Sequence, residues 1–148
     1  ANNFTSEDFA MSHPSGSLGR RLLTLVSSIM KSGKDIPMVS KETLLIDSLL
    51  VMSEKALGMV LIAENEKLIG IFTDGDLRRA LESNIDFQKL TIGDVMTKDC
   101  KSIEPQEPAL TAMQMMEKYS LNSLPVVDSS NNIVGAINMH TLIQAKLF

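Results

Sequence analysis

An internal repeat constrains the fold of this chain more than any other feature of its sequence. The stretch Val26–Met30 is echoed by Ile92–Met96, and Gly70 recurs as Gly135, 65 residues later. Each copy continues with a short apolar strand, an amphipathic helix, two strands around a polar turn, and a closing helix. Self-similarity at a fixed period indicates that the chain is built from two copies of one supersecondary unit.

A single copy has too little core to be stable alone. Two copies packed through their sheets would bury a shared core, and pseudo-twofold symmetry would then create two equivalent clefts. We therefore predict an α+β fold of two βαββα repeats, residues 26–86 and 87–148, preceded by a short segment, residues 1–25. We expect each cleft to be lined by the strand-to-helix corner and the first strand of the same copy.

Local patterns predict several element boundaries. The apolar run Leu68–Phe72 predicts a buried strand, and the spacing of apolar residues in Leu77–Leu81 predicts a helix after it. In the second copy, Lys101–Ile103 is predicted to form the first strand. We expect Ser40 to cap the long helix of the first copy, and Pro108 to stand in the first turn of its counterpart.

The corner Gly70–Asp76 carries the most chemistry. Here the strand ends abruptly in a hydroxyl and carboxylates, which occupy the place where a helix N-terminus presents free backbone N–H groups. These groups favour an anion, and a carboxylate accepts hydrogen bonds from two neighbouring hydroxyls such as those of a ribose. The alternative is that Thr73 or Asp74 simply caps the helix, which is the commoner use of these residues.

Composition excludes several classes of protein. The net charge is −4 and no basic block is present, which argues against a dedicated nucleic-acid binder. The single cysteine, Cys100, permits neither a disulfide framework nor a cysteine-based metal site, and a reducing, cytoplasmic setting fits. No apolar stretch is long enough to predict a membrane span. We expect no metal and no cofactor, and we assign the ten methionines to core or interface.

The tandem pattern resembles a pair of CBS domains, a regulatory module that binds adenosyl nucleotides and related ligands. Gly70–Asp76 matches the Gly-apolar-x-Thr/Ser-x-x-Asp corner of that family. The resemblance implies that Thr73 and Asp76 bind the ribose or phosphate of a ligand. It also implies that the ligand lies against the first-strand segment, which consists of Ile36, Pro37 and Met38.

Two further positions bear on the ligand. Arg78 or Arg79 follows the first corner and is expected to supply positive charge, although surface arginines are often merely solvated. The second copy departs from the family pattern, because Asn138 replaces the hydroxyl residue and Thr141 replaces the carboxylate. The second cleft is therefore expected to be empty, differently selective or purely structural.

The first residues carry a second resemblance. The stretch His13–Leu22 looks like the end of the sugar isomerase domain in D-arabinose-5-phosphate isomerases, which join that domain to a C-terminal CBS pair. Ser15 and Ser17 replace a Gly and an Ala of that stretch. The resemblance implies that residues 1–25 are the end of an upstream domain and a linker, and that His13 is catalytic in the full-length enzyme only.

These resemblances imply a regulatory role. The family interconverts ribulose 5-phosphate and arabinose 5-phosphate for the synthesis of Kdo, a sugar of lipopolysaccharide and some capsules. We expect this part to sense a nucleotide or a nucleotide-activated sugar such as CMP-Kdo, and not to isomerise sugars by itself. A rival interpretation is a dimerisation module that binds no ligand and holds a homo-oligomer together, with Met113–Met116 at its interface. A third is a CBS pair from another enzyme or a transporter.

Overall fold

A computed structural model describes residues 19 and 22–147 of the chain. His13 lies outside the described residues, and so does most of the segment that precedes the repeats. The elements in chain order are α1 (Val26–Ile29), a 3₁₀ turn (Gly33–Asp35), β1 (Met38–Ser40), α2 (Leu45–Lys55), β2 (Met59–Glu64), β3 (Lys67–Thr73), α3 (Asp74–Glu82), α4 (Ile92–Val95), α5 (Ala109–Lys118), β4 (Ser123–Val127), β5 (Ile133–Asn138) and α6 (Met139–Gln144).

The first repeat forms a three-stranded sheet in the order β1-β2-β3. β1 runs parallel to β2, and β2 pairs with β3 as an antiparallel hairpin in which Ile62 lies opposite Gly70. The predicted strand Leu68–Phe72 lies within β3, and the predicted helix Leu77–Leu81 lies within α3. The α+β fold and the repeat pattern predicted from the sequence are confirmed.

The first strand of the second repeat is reduced to a single bridge. Lys101–Ile103 was predicted as a strand, but only Ile103 pairs with β4, opposite Val126. The reason lies in the residue before Val126. In the first repeat the backbone N–H of Leu61 donates to the carbonyl of Pro37 at 2.7 Å, and the corresponding residue of β4 is Pro125, which has no N–H to donate.

The helix caps differ in part from those predicted. Leu44 is the N-cap of α2, and its side chain makes no capping bond. Ser40 does not cap that helix; its hydroxyl lies 3.1 Å from that of Thr43. Pro108 is the N-cap of α5, one position before the helix begins.

Each repeat is begun by a segment that packs on the other repeat. The N–H of Val26 donates to the carbonyl of Glu107 at 2.8 Å, and Lys31 pairs with Ala136 on β5. Val26 is fully buried in the core of the second repeat. The arrangement is reciprocal, because Ile92 is fully buried in the core of the first repeat. Such exchange is what an approximate twofold axis between the repeats requires.

A third apolar cluster joins the two sheets. Met59, Leu61 and Ile71 of the first sheet pack with Ala136 of the second. Because both repeats contribute to this cluster, the two sheets form one body with a shared core, and the two strand-to-helix corners face a common space. In the part of the chain that the structure describes, no helix is both long enough and apolar enough to cross a membrane.

Candidate functional site: a cleft between the two repeats

The first corner is a capping box. Thr73 is the N-cap of α3, and its hydroxyl oxygen accepts from the N–H of Asp76 at 3.3 Å. The Oδ2 atom of Asp76 accepts in return from the N–H of Thr73 at 2.9 Å and from its hydroxyl at 3.1 Å. The two side chains singled out by the sequence therefore meet. Their contacts are those of the capping alternative.

A second interaction engages the other oxygen of this carboxylate. Nη2 of Arg79 lies 2.6 Å from Oδ1 of Asp76, one turn along the helix. The arginine side chain is 70% exposed and that of Asp76 is 16% exposed. A solvated pair of this kind contributes at most about 1 kcal/mol. It is therefore easily exchanged for another partner.

The second corner reproduces this geometry with the chemical roles reversed. Asn138 is the N-cap of α6, and its Oδ1 accepts from the N–H of Thr141 at 2.8 Å and from the Thr141 hydroxyl at 2.7 Å. Its Nδ2 donates across the repeats to the carbonyl of Leu57 at 3.3 Å. The second corner thus has no carboxylate, and its amide is already tied to the first repeat.

The two corners border one cleft of about 520 Å³. Equivalent backbone hydrogen bonds fix the loop of each repeat to its corner. The N–H of Asp74 donates to the carbonyl of Gly58, and the N–H of Met139 donates to the carbonyl of Asn122. The cleft is lined by one loop and one corner from each repeat. Its residues are Ala56, Leu57, Gly58, Thr73, Asp74, Gly75, Arg79, Ser120, Leu121, Asn122, Ser123, Asn138, Met139 and His140.

Of the residues predicted to contact a ligand, Thr73 and Arg79 line this cleft. Asp76 lies directly behind it, bonded to it as described above. Arg78 is exposed and is not among the lining residues, in contrast to Arg79.

The first-strand segment stands apart from the cleft lining. Ile36 packs against the cluster between the sheets, which includes Leu57. Pro37 is buried beside β2, and Met38 is 43% exposed on β1. In this cleft, the first corner faces residues of the other repeat and not, as the sequence predicts, the first strand of its own copy. The residues opposite Thr73 come from the loop before β4, in the other repeat.

Sequence reasoning missed residues 120–123, which are the end of that loop and the first residue of β4, and also His140. The repeat itself carried a usable signal. Aligning Gly70 with Gly135 places Ser123 at the position of Gly58, next to Asn122, and the packing of the two repeats brings both segments to the corners.

A second, more open cavity of about 840 Å³ lies at the opposite end of the first sheet and includes neither corner. It is bordered by Lys41, Glu64 and Cys100 among others. The Glu64 carboxylate, bonded to Lys41 at 2.9 Å, raises the pKa of that lysine. Burial raises the pKa of the Cys100 thiol. Within the described ranges, no group of histidine, cysteine, aspartate and glutamate side chains is arranged to hold a metal ion.

The repeats match a known family. The family model described as CBS domain matches residues 26–83 and 92–147. The chain therefore belongs to the CBS domain family, and it contains a pair of these domains.

Relatives and solved structures agree with this assignment. A protein of Francisella tularensis subsp. tularensis named arabinose 5-phosphate isomerase KdsD is 48% identical over 147 residues, which are 99% of this chain and 45% of that protein. The chain thus spans less than half the length of this curated relative. Among solved structures, the CBS domain pair of protein MJ0100, in complex with 5′-methylthioadenosine and S-adenosyl-L-methionine, is similar with a TM-score of 0.72 and 25% identity, covering 82% of this chain and 98% of that one. CBSX2 in complex with AMP gives a TM-score of 0.70 at 22% identity, covering 83% and 96% of the two chains, and supports the fold alone.

Proposed function

We propose that this chain is the regulatory CBS pair of an arabinose 5-phosphate isomerase and that it binds a nucleotide or a nucleotide-activated sugar. The observation that carries the proposal is the cleft between the repeats, which brings Thr73 and the Asp76 carboxylate behind it to the same space as Asn122 and His140 of the other repeat. The isomerase assignment is supported by the 48% identity to the Francisella relative of that name.

The size and chemistry of the cleft suit a ligand of this class. Its volume of about 520 Å³ falls within the range of small-molecule sites, roughly 300–1,000 Å³. Its walls offer hydroxyl, amide and imidazole groups from Ser120, Asn122 and His140 besides the first corner. A sugar hydroxyl pair finds carboxylate and hydroxyl acceptors there, and a phosphate finds donors.

A nucleotide is the ligand class that this combination favours. The similar MJ0100 structure holds two adenosyl compounds, which is in accord with a site for a ribose. CMP-Kdo combines a ribose, a phosphate and an acid sugar, and feedback from this product on an early step of Kdo synthesis is the regulation that we propose. Regulation requires that the ligand bind two conformations of the enzyme with different affinity.

Catalysis belongs to the longer enzyme in this proposal. Aldose–ketose isomerisation moves a proton between adjacent carbons, and a histidine titrating near neutral pH is suited to that task. His13 has that role in the full-length enzyme, together with groups outside this chain. A coupled isomerase assay on the chain itself should therefore give no turnover above background, and turnover would contradict this division of labour.

A thermal-shift panel with AMP, ADP, ATP, CMP and CMP-Kdo tests the binding function. A ligand at about 100 times its dissociation constant should stabilise the protein by roughly 2.7 kcal/mol. The variant Asp76→Asn, whose amide oxygen still accepts from Thr73, should lose most of this gain. Asp94→Asn is the matched control, because Asp94 occupies the same capping-box position in α4, where it accepts from Thr91 at 2.9 Å, and lies outside the cleft.

A second candidate function is assembly of the enzyme into a homo-oligomer. Met116 cannot contribute to such an interface, because it is 1% exposed and belongs to the core, and Met115 is half-buried against the same core. The exposed apolar side chains lie elsewhere: Leu50 on α2 is 67% exposed and Leu81 on α3 is 62% exposed. If the pair serves assembly, Leu50→Glu should halve the mass measured by light scattering, whereas Asp76→Asn should not.

A further inference from the structure

Arg79 is held by the residue that closes the first corner. Its Nη2 donates to Oδ1 of Asp76, while Oδ2 of Asp76 accepts from the N–H and the hydroxyl of Thr73. Both carboxylate oxygens are therefore engaged within the corner. Oδ1 has a second lone pair, so a ligand hydroxyl can donate to it beside Arg79 or in place of Arg79.

The corner does not depend on this arginine. If Arg79 turns away, Asp76 keeps both hydrogen bonds from Thr73, and the capping box of α3 remains complete. The pair is solvated at the arginine end, where the side chain is 70% exposed, and such pairs are weak. The guanidinium is then free to present its planar fork of donors, a shape that matches a phosphate bidentately.

The charges around the cleft single out the same residue. The other charged or titratable side chains of its lining are Asp74 and His140. The Asp74 carboxylate lies close to Gly58: a β-carbon added at Gly58 would be 3.1 Å from Oδ2 of Asp74. Among the lining residues that the structure describes, Arg79 therefore supplies the one permanent positive charge. Arg78, its neighbour on α3, does not line the cleft.

We infer that Arg79 makes this cleft select a nucleotide over the corresponding nucleoside. The Arg79 guanidinium separates from Asp76 and binds the phosphate of the nucleotide. This inference rests on the proposed function. In the exchange, the phosphate takes the guanidinium and Oδ1 of Asp76 becomes available to a sugar hydroxyl. A neutral nucleoside has no phosphate to bind the guanidinium, so it gains nothing from Arg79.

Calorimetric titration of two matched ligand pairs tests this selection: AMP with adenosine, and CMP with cytidine. The proteins are the wild type, Arg79→Gln and Arg78→Gln. Arg79→Gln should weaken the preferred nucleotide about 10- to 100-fold, the range for loss of charge-assisted hydrogen bonds. The same variant should leave the nucleoside equally tight or tighter, because Oδ1 of Asp76 is released. The loss in Arg78→Gln should be clearly smaller.

The outcomes separate this inference from the function on which it rests. If the wild type binds a nucleotide but Arg78→Gln loses as much affinity as Arg79→Gln, the role of Arg79 is overturned and the function stands. Equal losses for nucleotide and nucleoside overturn it in the same way. If the wild type binds none of the four ligands, the inference is overturned; if it also binds none of the thermal-shift panel, the proposed function is overturned too. Should Arg79→Gln fail to fold, Arg79→Lys replaces it; it retains the charge without the fork and should show a smaller loss confined to the nucleotide.

Discussion

Met96 occupies the space that a side chain at Gly70 would need. A β-carbon at residue 70 would lie 2.5 Å from the sulfur of Met96 and 3.2 Å from its Cβ. Gly135 has the same relationship to Met30, and there the backbone carbonyl of Lys31 adds a contact at 2.9 Å. The aligned glycines are thus explained by the methionine that follows the first short helix of each repeat and packs on the sheet of the other repeat.

This packing predicts an order of stabilities. Gly70→Ala should lower the free energy of unfolding by about 1–3 kcal/mol, as overpacking does, with part of the strain relieved by movement of the flexible Met96. Gly135→Ala should cost more, because a backbone carbonyl cannot move as freely. Urea unfolding measures both variants. Gly75→Ala is the control: its nearest heavy atom is at 3.5 Å, so no loss is expected. If the Gly135→Ala variant were as stable as the wild type, the close packing of Met30 and the Lys31 carbonyl against residue 135 would be contradicted.

The cap at Thr73 should contribute to stability whether or not a ligand binds. Thr73→Ala removes the oxygen that accepts from the N–H of Asp76, and the usual loss for an N-cap is about 1 kcal/mol. Thr73→Ser keeps the hydroxyl and should lose less. Thermal unfolding without ligand distinguishes the two. Equal stability of Thr73→Ala and the wild type would mean that the capping box does not hold the corner.

Asp128 should make the turn between β4 and β5 sensitive to acid. Hydrogen bonds from the backbone and then the side chain of Asn132 hold the pKa of its carboxyl below the ordinary value, aided by the N–H of Ser130. Because the pKa is lower in the folded state, the contribution to stability is present above the unfolded pKa and is lost as the pH falls through the folded one.

Comparison of wild type with Asp128→Asn tests this dependence. The wild type should be the more stable of the two at pH 7, and the difference should shrink as the pH is lowered from about 5 to about 3, around the ordinary pKa of an aspartate near 3.9. Urea unfolding at several pH values gives the difference directly. A difference that stays constant over this range would show that the charge of Asp128 is not involved.

Cys100 should be an unreactive thiol. Burial raises its pKa, so the thiolate that reacts with alkylating agents is scarce at neutral pH. At pH 8 we expect iodoacetamide to react more slowly with the folded protein than with the protein in guanidinium chloride. Mass spectrometry follows the modification. Equal rates in the two conditions would place the thiol in solvent.

The parts of the fold that follow from neighbouring residues were predictable from the sequence. The hairpin strands and the helix after Thr73 rest on local periodicity, and the meeting of Thr73 with Asp76 rests on three-residue spacing at a helix start. The resemblance of this corner to that of CBS domains further predicts that the two residues form a binding site, and this stays a prediction.

The rest depends on contacts between distant residues. The burial of Val26 in the second repeat and of Ile92 in the first follows from packing that no local pattern encodes. The same packing brings Asn122 and His140 to the first corner. The missing strand at Lys101–Ile103 was signalled by Pro125, but only its pairing register shows which hydrogen bond this proline deletes.

The most direct test of the account is to locate the ligand by amide chemical shifts. The protein is titrated with whichever nucleotide of the panel stabilises it, and two-dimensional NMR spectra are recorded. We predict that the largest shifts fall on the cleft, at Gly58, Gly75, Asn122 and His140, while Gly93 and Asn131 of the other cavity change little. Shifts concentrated at Gly93 and Asn131, or no shifts with any nucleotide, would contradict the claim that the cleft between the repeats is a nucleotide site.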